Sequence, residues 1–303
     1  DSEYLSLINL AKVKEITTLE QLDMNEHLST IERSKLDAID KEIINYKNVK
    51  QLIDFNDMIQ KFLDKGNTPD FKVIFVDEAQ DLSLIQWSMI KKIEEDTKCD
   101  VWIAGDDDQA IFGWAGADVD SFINWQAKEI PLKKSERVPS SIQNIALDII
   151  NRIRDNRLDK EYFPKAETGE IFERYKLSDI DMSKDDWLIL ARTKSLIKPI
   201  PAFLKKKGLF FNTAQGNSVG KNLYEDIQYW AKLKQKIELP DIHTQRIKER
   251  ITGDIDTSLE WYQAFDKLSD SQIIYMKLLL LNNEDPKKEA RIKISTIHGA
   301  KGG

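Results

Sequence analysis

The sequence predicts an α/β fold built on parallel sheets. Two apolar runs of strand length carry that reading, Val73-Ile74-Phe75-Val76 and Val101-Trp102-Ile103-Ala104, because each passes directly into a dense acidic stretch. An unbroken apolar run of this kind reads as a fully buried strand of a parallel sheet. The third observation is the rhythm of residues 71–150: strand 72–76, helix 83–95, strand 100–104, a short helix near 118–125, strand 129–133 and helix 139–153. Such βαβ alternation implies right-handed crossovers and a parallel sheet.

The segments on either side follow their own patterns. Residues 1–66 read as helices. Ser29-Thr30-Ile31-Glu32 has the form of a capping box opening a helix through about Asn48, with a stripe of Ile31, Leu36, Ile39, Ile43 and Ile44. Asp54 suits the cap of the next helix, and Lys65-Gly66 its end. The charged stretch Arg152–Lys160 reads as a linker. Beyond it, Trp187–Ala191 is a strand, a helix over 195–207 ends at Gly208, and Leu209-Phe210-Phe211 opens a short strand. Residues 222–285 are mostly helical with breaks at Pro240 and Gly253, and Ile292–Ile297 is a last strand.

Composition narrows the classes. With 41% hydrophobic and 32% charged residues, the 303-residue chain has the make-up of a core-forming protein long enough for two domains. One cysteine, Cys99, excludes an internal disulfide framework and suits a reducing cytoplasm, the expected location. The three histidines are far apart and show no metal-ligand spacing. No apolar run reaches membrane-spanning length, so no membrane partner is expected. The net charge of −7 stands against nucleic-acid binding when taken alone, but a single-strand grip needs only a local basic or aromatic track.

The chemistry sits at the strand ends. In open α/β sheets, ligands bind beyond the carboxyl ends of the strands. Asp77, Glu78, Gln80 and Asp81 follow the first run, and Gly105-Asp106-Asp107-Asp108-Gln109 follows the second. An Asp there suits a nucleotide-borne Mg²⁺, a neighbouring Glu suits proton abstraction from an attacking water, and Gln109 suits orientation of that water. Asp106, Asp107 and Asp108 fit turn caps as well as contacts to metal-bound water.

Val-Asp-Glu-Ala-Gln-Asp at 76–81 and Gly-Asp-Asp-Asp-Gln-Ala-Ile-Phe-Gly-Trp-Ala-Gly-Ala at 105–117 resemble motifs II and III of the UvrD/Rep/PcrA helicases of superfamily 1. Asp54–Met58 resembles the segment ahead of motif II, Leu132–Ser141 motif IV, Leu188–Thr193 the strand opening the second motor domain, and Thr296–Gly302 motif V. The resemblance implies RecA-like P-loop NTPase motor domains that use ATP and Mg²⁺. The first would comprise a helical segment over 1–70 and a partial motor over 71–153; the second, over 154–303, would carry a mostly helical insertion at about 215–290. It implies Asp77 for the metal, Glu78 as catalytic base, Gln80, Gln109 and Arg137 at the nucleotide, and Arg137 as an arginine finger. Phe112 and Trp114 would stack on single-stranded DNA, with Thr296 and His298 at the DNA backbone or the interdomain cleft. Each has a plainer reading: the aromatics as core, and Arg137 as a surface charge.

Departures from the family pattern accompany the matches. No G-x-x-x-x-G-K-[ST] phosphate loop occurs; Gly216–Asn222 is one residue short and ends in Asn. The second arginine of motif VI is also missing, so the chain reads as an internal fragment of a bacterial or phage helicase acting on single-stranded or tailed DNA in repair or replication. Little activity is expected of the fragment alone. The alternative is an inactive helicase-like scaffold that binds DNA or protein. Ala115 stands where the family commonly has Arg, and Glu136 where it commonly has a Tyr that stacks on adenine.

Overall fold

Four helices precede the first strand: α1 (Glu3–Val13), α2 (Thr18–Asp23), α3 (Arg33–Lys50) and α4 (Phe55–Lys65). The computed structural model describes residues 3–25, 28, 30–153 and 157–301. Leu7, Ile8, Leu22, Ile31 and Leu36 form the core of this helical segment. The stripe expected on α3 supplies Leu36, with Ile39 and Ile43 packed against the core; Ile31 joins it from just before the helix, and Ile44 is exposed. Ser29, the expected cap, lies outside the described residues; Glu32 stands at the cap position and its side chain makes no capping bond.

The start of α4 is as the sequence predicts. Asp54 caps it by accepting from the Asp57 backbone N–H, and Asp57 reciprocates at the Asp54 N–H, while Gly66 ends it. Lys47 donates to both carboxylates, at 2.6 Å to Asp57, and Lys12 donates to Asp57 at 3.2 Å. Four charges from three helices are thereby tied together.

β1 (Val73–Val76), α5 (Leu84–Thr97) and β2 (Asp100–Ile103) form one crossover unit. The strands pair in parallel, with Val73 opposite Asp100 and Val76 opposite Ile103. Ile74, Val76, Val101 and Ile103 pack on Ala79, Trp87 and Ile90, together with Phe122 and Trp125. The second face does not match the expectation of a buried strand: Phe75 is 79% exposed, Trp102 53% and Val73 42%. An unbroken apolar run does not reveal how many faces are covered. This sheet has two strands among the described residues, and its helices cover one side.

α6 (Val119–Ile123) and α7 (Ser140–Ile150) follow. The strand expected over 129–133 does not form a ladder; Pro131 lacks an N–H, and pairing is limited to one parallel bridge between Lys134 and Phe163. That bridge begins a return segment. Lys165 donates to Val138 O, Ser140 to Glu167 O and Ser141 to Thr168 O. These bonds hold residues 157–168 on the first unit, so the chain divides into Asp1–Phe172 and Glu173–Gly303, downstream of the break read at 153.

The second unit is a four-stranded mixed sheet with helices. β3 (Trp187–Ala191) leads through α8 (Lys194–Ile197) and α9 (Ile200–Lys207) to β4 (Phe211–Thr213) and β5 (Gly216–Asn217). The expected 195–207 helix is divided at Pro199, and Gly208 ends α9 in the left-handed conformation. Then come α10 (Lys221–Lys234), α11 (Asp241–Lys248), α12 (Trp261–Ala264), α13 (Asp270–Leu281), β6 (Ile292–Thr296) and α14 (Ile297–Ala300). The order is β3-β6-β4-β5, parallel except for the β4–β5 hairpin. Its core contains Leu204, Phe210, Trp230, Phe265, Met276 and Ile292. No helix among the described residues is long and apolar enough to cross a membrane.

The α4 cap gives a pH dependence. Burial opposes ionisation of Asp57, but its bonds to the Asp54 N–H and to Lys47 and Lys12 outweigh that and hold its pKa at about 2. A folded-state pKa below the ordinary value adds stability that is complete above about pH 4 and is lost as pH falls toward 2. Circular-dichroism melts across that window are expected to show the loss, and Asp57→Asn to flatten it.

Candidate functional site

The first half of the site is the turn that leaves β1. Asp77 Oδ1 accepts from the Glu78 N–H at 2.9 Å. Glu78 is left-handed, with φ 51° and ψ 39°, which costs a non-glycine residue roughly 1–2 kcal/mol. Such strain persists where surrounding contacts enforce it and is concentrated at functional sites. Here the Ala79 N–H donates to Ala104 O at 3.0 Å, pinning the turn Ala79–Asp81 to the end of β2. Asp77 and Glu78 remain exposed, while Gln80 is fully buried.

Gln80 connects the two strand ends. Its Nε2 donates to Glu78 Oε2 at 2.6 Å, and its Oε1 accepts from the Asp106 N–H at 2.9 Å. Asp106 caps the turn Asp107–Gln109, and its Oδ2 accepts from Gln109 Nε2 at 2.8 Å. Glu78, Gln80, Asp106 and Gln109 therefore form one continuous chain of hydrogen bonds. Gly105 makes the close approach possible: a Cβ there would lie 2.6 Å from Gln80 Oε1 and 2.9 Å from the Phe122 ring.

The acidic loop is neutralised from within the chain. Lys160 donates to Asp106 Oδ1 at 2.7 Å and to Asp107, and its ammonium lies 3.3 Å from Asp108 Oδ2. Arg157 grips Asp108 with two nitrogens, at 2.6 and 3.2 Å. Tyr162 donates to Asp106 at 3.0 Å, and the Leu158 N–H to Asp107 at 2.9 Å. Burial works against the charge on Asp106, but the bonds from Lys160 and Gln109 prevail and lower its pKa. Burial and the Asp106 charge push the Tyr162 hydroxyl up to about 12. Residues 157–160, read as part of a linker, are thus packed against the site. The signal for them was present: three consecutive carboxylates beside a sheet require cations, and Arg157 and Lys160 supply them.

The other predicted residues are placed as follows. Trp114 is 70% exposed on the turn Gly113–Ala115, after the half-buried Phe112, so Trp114 is not a core residue. Gly116 ends that turn at φ 100°, over Val13 of α1. Arg137 is exposed on the turn before α7, where its backbone N–H donates to Ser135 Oγ at 3.3 Å. Among the described residues its guanidinium forms no hydrogen bond to Asp77 or Glu78. Glu136 pairs on the surface with Lys134 at 2.8 Å, and Ala115 is exposed. Thr296 and His298 belong to the second unit, where Thr296 Oγ1 caps α14 by accepting from Gly299 at 3.0 Å.

Residues 2–130 match the UvrD/REP helicase N-terminal domain. That segment is similar to this family's N-terminal domain. DNA helicase II of Haemophilus influenzae is 34% identical over 129 residues, covering 39% of this chain and 18% of that protein. DNA helicase II of Escherichia coli K12 is 37% identical over 110 residues, covering 35% and 15%, and ATP-dependent DNA helicase PcrA of Leuconostoc citreum 25% over 199 residues, covering 55% and 26%. The chain spans about a quarter or less of the length of these relatives.

The matched segment contains the whole Glu78–Gln109 chain. Among the described residues no three His, Cys, Asp or Glu side chains stand ready as a metal cage. Mg²⁺ commonly keeps its waters and takes one or two carboxylates together with substrate phosphates, so the exposed Asp77 fits a metal that arrives with a nucleotide. The acids at 106–108 already hold Lys160 and Arg157.

Gly105→Ala is expected to push Gln80 off the Asp106 N–H and to destabilise the first unit by about 1–3 kcal/mol, the usual cost of overpacking. Urea unfolding followed by tryptophan fluorescence would measure it; an unchanged midpoint would show that the approach is not tight.

Proposed function

We propose that this chain is part of an ATP-dependent DNA helicase or translocase of the UvrD/Rep type, its two units being parts of two RecA-like motor domains. The observation that supports this best is the hydrogen-bond chain from Glu78 through Gln80 and Asp106 to Gln109, three residues before Phe112 and five before the exposed Trp114. It joins a carboxylate suited to hydrolysis to a turn suited to gripping bases.

The roles rest on the resemblance of these residues to the helicase motifs. Glu78 takes the proton from the attacking water, and Asp77 would hold the Mg²⁺ that accompanies the nucleotide. Gln109 faces the terminal phosphate, where an amide orients water without titrating. The chemistry that Mg²⁺ would supply there is neutralisation of phosphate charge. Arg137 supplies a positive charge to the same phosphate, and Gln80 transmits the position of Glu78 to the acidic loop. Trp114 and Phe112 stack on unpaired bases, which is sequence-tolerant, and Thr296 and His298 contact the DNA strand. The relatives named DNA helicase II and PcrA favour DNA as the partner.

Trp114→Ala is expected to weaken binding of a fluorescent oligo-dT by roughly 5- to 100-fold, the effect of losing one stacked base. Anisotropy would read it, and equal affinity would remove Trp114 from the DNA track. The chain has no phosphate loop, whose backbone N–H groups cradle phosphates, so calorimetry with Mg–ATP is expected to show no sub-micromolar binding. In a longer protein that carries such a loop, Glu78→Gln is expected to lower single-strand-stimulated ATPase by roughly 10²–10⁴-fold, and unchanged turnover would refute the base assignment.

A further inference from the structure

The return segment 157–168 touches both places to which the proposed reaction assigns phosphate contacts. At one end, Arg157, Lys160 and Tyr162 hold Asp106, Asp107 and Asp108, and Asp106 holds Gln109. At the other end, the same segment brackets the turn that carries Arg137. Phe163 N–H donates to Lys133 O at 2.8 Å, Ser135 N–H to Phe163 O at 2.8 Å and Lys165 N–H to Val138 O at 3.0 Å. Gln143 of α7 donates to Tyr162 O at 2.6 Å, and Ser141 Oγ to Thr168 O at 2.6 Å. Tyr162 and Phe163 are adjacent, so one residue step separates the grip on the acidic loop from the grip on the arginine turn.

We propose that residues 157–168 are a positioning strap, anchored by Lys160, that fixes Gln109 and Arg137 in one register. The functional importance of that register rests on the nucleotide reading above; the coupling itself does not. Lys160 touches neither water nor phosphate in this role. Its ammonium orients Asp106, and Asp106 orients Gln109. The same residue anchors the chain just before it pairs with the 133–138 turn. Loss of Lys160 leaves three carboxylates with Arg157 as their principal cation, so the loop is pushed apart and the strap loses its seat.

Lys160→Met in the 303-residue chain would test the coupling by NMR. The Gln109 side-chain amide, assigned through Gln109→Glu, should become measurably more mobile in its heteronuclear NOE. The Ser135 and Phe163 amides should together lose roughly tenfold or more of their exchange protection. Amides of α5 should keep theirs, which shows that the unit remains folded. Should Lys160→Met fail to fold, Tyr162→Phe removes a single hydroxyl bond to Asp106 and should produce smaller changes at the same three places. An unchanged Gln109 amide overturns the anchor. A loosened Gln109 with full protection at Ser135 and Phe163 overturns the coupling. Neither readout involves nucleotide, so a failed ATPase assignment and a failed strap give different results.

Discussion

Three consecutive carboxylates packed beside a sheet end repel one another, and the site depends on the cations that hold them together. The side chains of Asp107 and Asp108 are 2% and 4% exposed. At that burial a missing partner is far more costly than at the surface: exposed pairs contribute about 0–1 kcal/mol, whereas breaking a buried pair costs about 3–5 kcal/mol. The Lys134–Glu136 pair belongs to the first class and the Lys160 cluster to the second. Lys160 and Arg157 thus supply positive charge to 106–108, and Asp106, held by Lys160, in turn accepts from Gln109.

The sheet beneath is an unequal support. Parallel strands are usually covered on both faces. Here Trp87 and Ile90 cover one face, while Phe75 and Trp102 lie on the other, 6.3 Å apart between ring centres. A sheet that has two strands and one covered side among the described residues fixes its strand ends weakly. The site compensates with bonds across the ends themselves. Ala104 N–H donates to Val76 O at 2.8 Å, Ala79 N–H to Ala104 O, and Gln80 bridges both turns. The strained backbone at Glu78 is affordable because these bonds enforce it.

What the sequence disclosed was local. Capping at Asp54, termination at Gly208, the strand Trp187–Ala191 and the paired strand ends follow from residues within a few positions of one another. Residues 76–81 and 105–117 also carried the helicase resemblance, which the match over residues 2–130 supports. The failures were of range. Lys160 and Asp106 are 54 positions apart, and no short-range pattern joins them. The run 73–76 revealed a strand but not that, among the described residues, one of its faces is exposed. The stretch 129–133 had strand-like residues, and its one bridge goes to Phe163, whose position the strap determines.

The two basic residues of the strap are not interchangeable, and the geometry shows why each stands where it does. A guanidinium is a planar fork that matches one carboxylate, and Arg157 meets Asp108 in that way through Nε and Nη2. An ammonium is a compact charge with three donors and no preferred plane. Lys160 uses that form, reaching Asp106, Asp107 and Asp108 with one ammonium. A fork at 160 would satisfy one carboxylate and turn its flat face toward the others. A point charge at 157 would lose the bidentate grip that holds the start of the strap. The order of Arg before Lys thus matches a loop whose last acid needs clamping and whose first two need sharing, and it is the sharing that leaves Asp106 Oδ2 turned toward Gln109.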